Sequence, residues 1–198
     1  MRIGLLGGTF NPPHHGHLIC AEEARIQLDL DEVLLIPAGD PPHRDLDPEQ
    51  DADPRQQLQM CRLAVAGQTA LGVSSVEIDR PGPSFTVDTL EQLAKDEPDN
   101  ELVLIIGADQ AASFGNWREP ERIAELARIA VAARVDYDID DALAEVERAT
   151  GLKPVSFDMP RIDISSSLIR DRVHRGRVIS HVVPPRVAEY VAEQGLYR

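Results

Sequence analysis

Short apolar runs alternate with stretches of helical spacing along most of this chain. Ile3–Leu6, Val33–Pro37, Leu102–Ile106 and Ile129–Ala133 are continuous apolar runs of strand length, and Val155–Phe157 is a shorter one. Val73–Ile78 alternates apolar and polar positions as a strand does. Between these runs, His17–Leu28, Arg55–Ala66, Val87–Lys95, Pro120–Ala127, Asp140–Thr150, Ser166–Arg175 and Pro185–Gln194 read as helices. Asp53-Pro54 offers an N-cap and a first-turn proline to the second of them, and Gly151, Gly176 and Gly195 stop the last three. Strands without a polar face, separated by helices, predict an α/β fold: a doubly wound parallel sheet with helices on both faces. No internal repeat divides the chain, so a single domain is expected over 1–198, with a helical C-terminal part from about 164 to 198. Asp40–Pro54, rich in Pro and Asp, reads as a mobile loop, placed either to close over a ligand or simply to cover surface.

Charge narrows the partners. The 198 residues carry 34 Asp and Glu against 20 Lys and Arg, a formal net charge of −14. Nonspecific nucleic-acid binding needs a basic face to displace counterions, and this balance argues against it. An anionic small substrate remains compatible if the few cations converge on one cleft. Cys20 and Cys61 lie in helical stretches with no CxxC partner, so buried thiols are expected. The apolar run after Met1-Arg2 is too short for a signal-peptide core, and no run is long enough to span a bilayer. A soluble, cytoplasmic protein without a membrane partner is the expectation; homo-oligomer formation stays open.

The first strand runs into Gly7-Gly8-Thr9-Phe10-Asn11-Pro12-Pro13-His14-His15-Gly16-His17. Ligands of open parallel sheets bind beyond the carboxyl ends of the strands, where this loop sits. Its glycines let backbone N–H groups approach a phosphate, the following helix presents a partly positive N-terminus, and His14 and His17 offer ring N–H donors. The loop is not a Walker A sequence. A zinc site built from His14, His15, His17 and His43 is the competing reading, disfavoured by the phosphate-loop context and the lack of paired Cys. Near the other end stands Ile164-Ser165-Ser166-Ser167-Leu168-Ile169-Arg170. One serine suffices to cap a helix; three in a row, with Arg170 a turn further in, suit a polyphosphate held by hydroxyls and a guanidinium fork.

The His14-x-Gly16-His17 pattern after Gly-Gly-Thr-Phe-x-Pro resembles the HxGH nucleotidyltransferase superfamily, and Ile164–Arg170 resembles its second signature, ISSTxxR, with Ser167 in place of Thr. Three middle segments narrow the resemblance to bacterial nicotinate mononucleotide adenylyltransferases. Ser84-Phe85-Thr86-Val87-Asp88-Thr89-Leu90 is similar to their SYTxDTL, Gly107-Ala108-Asp109 followed by Trp117 to their GxD…W, and Pro37-x-Gly39-x-Pro41-Pro42-His43-Arg44 to their PxxxPPHK. Tyr190-Val191 and Gly195-Leu196-Tyr197-Arg198 are also similar to their ending, so the resemblance covers essentially the whole chain. It implies a Rossmann-like fold and transfer of AMP from ATP to nicotinate mononucleotide, with Mg²⁺ arriving on the ATP phosphates rather than in a protein metal site. It also implies catalytic roles for His14, His17 and Arg170. The ATP side would comprise Gly8, Thr9, Phe10, His17, Gly107, Asp109, Ile164, Ser166, Ser167 and Arg170. The mononucleotide side would comprise Thr9, Arg44, Thr86, Trp117, Arg118 and Arg134, with Trp117 stacking on the pyridine ring and Thr86 meeting the carboxylate unless it only caps its helix.

Departures from the family pattern are Asn11 for Asp, which removes a charge near the phosphates, Arg44 for Lys, Arg118 for Tyr, and Arg134-Val135-Asp136-Tyr137 for RPGY. Same-class alternatives are nicotinamide mononucleotide or phosphopantetheine as acceptor; a different class is a noncatalytic nucleotide-binding module.

Overall fold

A strand whose side chains all find apolar neighbours must be covered on both faces, and the central strands of this chain meet that condition. In the computed structural model, which describes residues 1–42, 51–134 and 139–198, the parallel strands β1 (Arg2–Gly8), β2 (Glu32–Pro37), β3 (Leu71–Val73), β4 (Glu101–Gly107), β5 (Arg128–Arg134) and β6 (Val155–Met159) form one six-stranded sheet of order β3-β2-β1-β4-β5-β6. Side-chain alternation sorts them into two apolar layers. Val103 and Ile105 of β4 and Ala130 and Ala132 of β5 face one side, where they meet α1 (His15–Gln27), α2 (Pro54–Val65), α8 (Ser166–His174) and α9 (Pro185–Glu193). Leu102, Leu104, Ile106, Ile129 and Val131 face the other, beneath α4 (Thr86–Asp96), α5 (Ala108–Ala111), α6 (Pro120–Leu126) and α7 (Ile139–Thr150). Ile169 of α8 and Val187 and Val191 of α9 are almost fully buried in the first layer, so the helical C-terminal part shares the core of the sheet.

The order of the strands fixes where a ligand can enter. From β1 the sheet grows through β2 and β3 in one direction and through β4 to β6 in the other. The chain therefore leaves β1 and β4 towards opposite faces, and a crevice opens beyond Gly8 and Gly107.

Local chemistry explains most element ends. Asp53 accepts hydrogen bonds from the N–H groups of Arg55 (2.8 Å) and Gln56 (3.0 Å), and the Gln56 side chain returns to Asp53 N–H at 3.0 Å, a reciprocal cap with Pro54 in the first turn. α1 starts at His15, two residues before the periodicity suggested, because the His17 ring closes the first turn. Val73–Ile78 is a correction to the sequence reading. β3 ends at Val73, and the chain turns into a short helix, α3 (Val76–Asp79). A 2.6 Å bond from the Ser75 hydroxyl to Asp79, four residues on, and a 2.9 Å Asp79 N–H to Ser75 carbonyl bond close that turn, and neither is visible to a period-two pattern. α5 and the 3₁₀ turn Phe114–Asn116, each under five residues, also escaped it.

Candidate active site

The crevice has two halves. On the first, the β1–α1 loop carries Phe10 in the left-handed region (φ 47°), a conformation costly for a bulky residue unless its surroundings hold it. They do: the Phe10 ring is 1 % exposed, and its edge meets the His17 ring at 4.9 Å. The His14 and His17 rings stack with centroids 3.7 Å apart and planes 20° apart. Gly16 permits this stack, since a Cβ there would stand 3.0 Å from His14 Nδ1. The backbone N–H of His14 donates to His17 Nδ1 at 3.2 Å, which places the ring proton of neutral His17 on Nε2, as a donor. Burial, and secondarily the neighbouring His14, hold the His17 imidazole well below its ordinary value, so the resting ring is neutral.

The second signature docks onto this loop. Ser166 Oγ donates to the carbonyl of Pro12 at 2.9 Å, and Arg170 Nη1 donates to the carbonyl of Asn11 at 2.9 Å. Arg170 Nη2 has no protein partner among the described residues. Ser165 is the N-cap of α8, accepting from Leu168 N–H at 3.2 Å, and Ser167 lies 3.0 Å from it, hydroxyl to hydroxyl. The three serines thus divide their tasks: one caps, one ties helix to loop, and one stands exposed at the helix start beside the partly buried Ile164.

Asn11 behaves differently from the expectation of a charge missing beside the phosphates. Its side chain is fully buried. Its Oδ1 accepts from Tyr197 OH (2.6 Å) and Ala52 N–H (3.1 Å), and its Nδ2 donates to Asp51 at 2.5 Å. The carboxylate of this neighbourhood belongs to Asp51, 3.8 Å from Arg170 Nε.

The other half is a cleft of about 170 Å³ between the ends of β1 and β4 and the start of α4. Gly7, Gly8, Thr86, Gln110, Trp117 and Arg118 are among its walls. Trp117 is half-buried, with its ring 4.9 Å from Phe114 and one side open to the cleft. Thr86 is the first helical residue of α4, and the capping position is Phe85, without a side-chain cap bond; the structure therefore excludes the reading of Thr86 as an N-cap. The Arg118 guanidinium lies 4.8 Å above the Phe85 ring and 3.5 Å from Asp88. Thr9 lies between the halves, directly after β1. Asp109 is exposed on the first turn of α5 and folds back over Gly107, where a Cβ would stand 2.5 Å from its Oδ1. Arg134 ends β5, but its side chain, like Arg44, His43 and 45–50 of the acidic loop, lies outside the described residues.

Beneath the cleft lies a group that sequence reasoning missed. Glu77 is buried; it accepts from Thr89 Oγ1 at 2.8 Å, and Arg80 Nη2 donates to the same hydroxyl at 3.1 Å. Desolvation raises the Glu77 carboxyl above its usual range, against the bonds from Thr89 and Ser84 and the charge of Arg80. Ser84 Oγ in turn accepts the N–H groups of Gly39 (2.9 Å) and Asp40 (3.1 Å). The segment before Thr86 is thereby tied to the end of β2. An acidic residue, Glu77, in a stretch whose alternation suggests a strand is the only signal the sequence offers for it.

A larger cavity, about 410 Å³, opens at the opposite end of the sheet around Glu101, Arg128 and Lys153. Topology, not size, singles out the crevice at the strand carboxyl ends. Of the four histidines of the zinc reading, His43 lies outside the described residues, and His14 and His17 stack rather than converge; among the described residues no three His, Cys, Asp or Glu side chains gather as a cation site. No helix among the described residues is long and apolar enough to cross a membrane.

Comparison with known proteins agrees with this architecture. The cytidylyltransferase-like family matches residues 5–172. A protein of Roseiflexus sp. (strain RS-1) named "Probable nicotinate-nucleotide adenylyltransferase" is 48 % identical over 197 residues, covering 99 % of this chain and 98 % of the relative. One of the same name from Synechococcus sp. (strain JA-3-3Ab) is 41 % identical over 99 % of this chain and 94 % of its own. Among solved structures, Plasmodium falciparum nicotinic acid mononucleotide adenylyltransferase complexed with NaAD superposes with a TM-score of 0.80 at 16 % identity, covering 99 % of this chain and 97 % of that one, which shows the shared fold. The chain belongs to the cytidylyltransferase-like family and, within it, to the nicotinate-nucleotide adenylyltransferases.

Proposed function

We propose that this chain transfers AMP from ATP to nicotinate mononucleotide, forming nicotinate adenine dinucleotide and pyrophosphate. The observation that carries the reading is the meeting of two constellations at one crevice: the stacked His14–His17 pair with Arg170 and the α8 serines on one side, and the Thr86–Trp117–Arg118 cleft on the other.

The 5′-phosphate of the mononucleotide attacks the α-phosphorus of ATP in line, the bond to the bridging oxygen breaks, and pyrophosphate leaves. The attacking phosphate is already a nucleophile, so the side chains position reactants and neutralise charge. His17 presents Nε2–H to an α-phosphoryl oxygen, and His14, stacked on it, supports that donor. Backbone N–H groups from Gly8 to Phe10 line the approach. Arg170 Nη2, with the Ser166 backbone N–H at the start of α8 and the Ser167 hydroxyl, holds the β- and γ-phosphates; Asp109 and Gly107 accept the ribose at the end of β4, and Ile164 packs beside the nucleotide. Trp117 stacks on the pyridine ring, while Thr86 and Arg118 meet its carboxylate, with Thr9, Arg44 and Arg134 towards the mononucleotide phosphate. The donors around the loop are imidazoles, hydroxyls and a guanidinium, which suit phosphate oxygens rather than a hard cation. Mg²⁺ carried on the triphosphate by phosphate and water ligands would screen its charge. We place the reaction in the cytoplasm, where Cys20 and Cys61 stay thiols.

Product identification tests the reading. Incubation with Mg-ATP and, separately, nicotinate mononucleotide, nicotinamide mononucleotide and phosphopantetheine is expected to give dinucleotide and pyrophosphate mainly with the nicotinate substrate. Faster turnover of the amide would move the specificity, and no product from any of the three in protein that binds ATP would leave a binding module.

A further inference from the structure

The Arg170 guanidinium is held from two directions by one buried junction. Nη1 donates to the Asn11 carbonyl (2.9 Å), and Nε faces Asp51 Oδ1 (3.8 Å), the same oxygen that accepts the Asn11 amide at 2.5 Å. The Asp51 side chain is only 6 % exposed, Asn11 is 0 % exposed, and Arg170 is 23 % exposed, so the pair works in a poorly screened environment. Asn11 Oδ1 also collects Ala52 N–H and Tyr197 OH, from opposite ends of the chain. A carboxylate at both positions would place two like charges in contact, so the acid at position 51 calls for an uncharged partner such as the amide at position 11.

We propose that Asp51 is a positioning residue for Arg170: through the Asn11–Asp51 pair it sets the guanidinium that grips the β- and γ-phosphates, and its charge offsets part of that guanidinium's pull on bound ATP. The inference rests on the reading of Arg170 as a phosphate ligand. Asp51 carries the sign of the triphosphate, so neutralising it strengthens ground-state attraction between Arg170 and ATP while releasing the guanidinium from its set orientation. The amide and the acid are also interchangeable in place. With the two side chains exchanged, a carboxylate at position 11 would still accept from Tyr197 OH and Ala52 N–H, and an amide at position 51 would donate where the acid now accepts.

Steady-state kinetics and thermal unfolding of the full chain test this with Asp51→Asn, Asn11→Asp, the double exchange and Arg170→Ala. Asp51→Asn is expected to lower kcat roughly tenfold and to lower the KM for ATP about threefold, with the KM for the mononucleotide unchanged. Asn11→Asp is expected to lose more than about 5 °C in Tm, and the double exchange to recover most of that loss and to return kcat to within about threefold of the parent. Wild-type kinetics for Asp51→Asn, or KM values rising together for both substrates, would overturn the proposal, because the first denies the coupling and the second describes loosening alone. A double exchange no better than Asn11→Asp would overturn it as well. An Arg170→Ala enzyme with unaltered ATP kinetics would sink both this inference and the reading beneath it; an impaired Arg170→Ala beside an unimpaired Asp51→Asn would sink the inference alone.

Discussion

The two halves of the crevice are built in different ways. The phosphate half is locked into the core: Phe10 and Asn11 are almost fully buried, the two imidazoles stack, and α8 is tied to the loop by bonds from Ser166 and Arg170. The ring half is open: Trp117 is half-buried, and Arg118, 49 % exposed, rests on Phe85 between Asp88 and Glu119. Preorganised donors act where charge develops in the transition state, and reorganisation there is costly; an acceptor ring needs only a platform and one or two polar partners. Under the proposed function, the comparison therefore assigns rate to the first half and choice of acceptor to the second.

The largest effect should come from His17. His17→Ala is expected to lower kcat by roughly 10² or more with little change in either KM, read by steady-state turnover. Arg170→Ala should lower kcat at least as much as Asp51→Asn, roughly tenfold, raise the KM for ATP by roughly tenfold and leave the mononucleotide KM alone, since it removes a charge-assisted contact to one substrate only. Trp117→Ala should do the reverse, raising the mononucleotide KM roughly tenfold at unchanged ATP KM, as the loss of a stacking face would. Arg118→Ala should shift the preference between acid and amide acceptors by only a few-fold, because its charge is shared with Asp88 and Glu119 and is exposed.

The smallest effect concerns protons. The folded-state value of His17 is depressed below 6.5, so below neutrality the unfolded chain binds the extra proton first. His17 thus lowers stability as pH falls through about 6.5, and this loss levels off only below its folded-state value. His17→Gln should flatten that limb of a Tm-against-pH curve. Glu77 has the opposite sign: its folded-state value is raised above 4.5, the folded chain binds the extra proton, and stability falls as pH rises through that window. Glu77→Gln should remove that slope.

The sheet is legible because its strands are apolar on both faces, as Val103–Ile106 shows, and each run is too short for a buried helix, a distinction that length and not periodicity makes. The boundaries that were misread, at Val73–Ile78 and at His15, are set by single side-chain bonds from Ser75 and to His17. At the site, the two signatures stood near opposite ends of the sequence, and their meeting is visible only once α8 packs on the β1–α1 loop. Asn11 was read as a lost charge because sequence shows which residue departs from a pattern and not which neighbour compensates; Asp51 does so from 40 positions away. Glu77 was missed for the same reason, its partners Thr89 and Arg80 being assembled by the fold.

Calorimetric binding of a nonhydrolysable ATP analogue and of nicotinate mononucleotide, each to the parent chain, Arg170→Ala and Trp117→Ala, tests the division most directly. The expected result is a crossed pattern, with Arg170→Ala weakening the analogue alone and Trp117→Ala the mononucleotide alone, each by roughly tenfold. Equal weakening of both ligands by either variant would contradict two separately built halves.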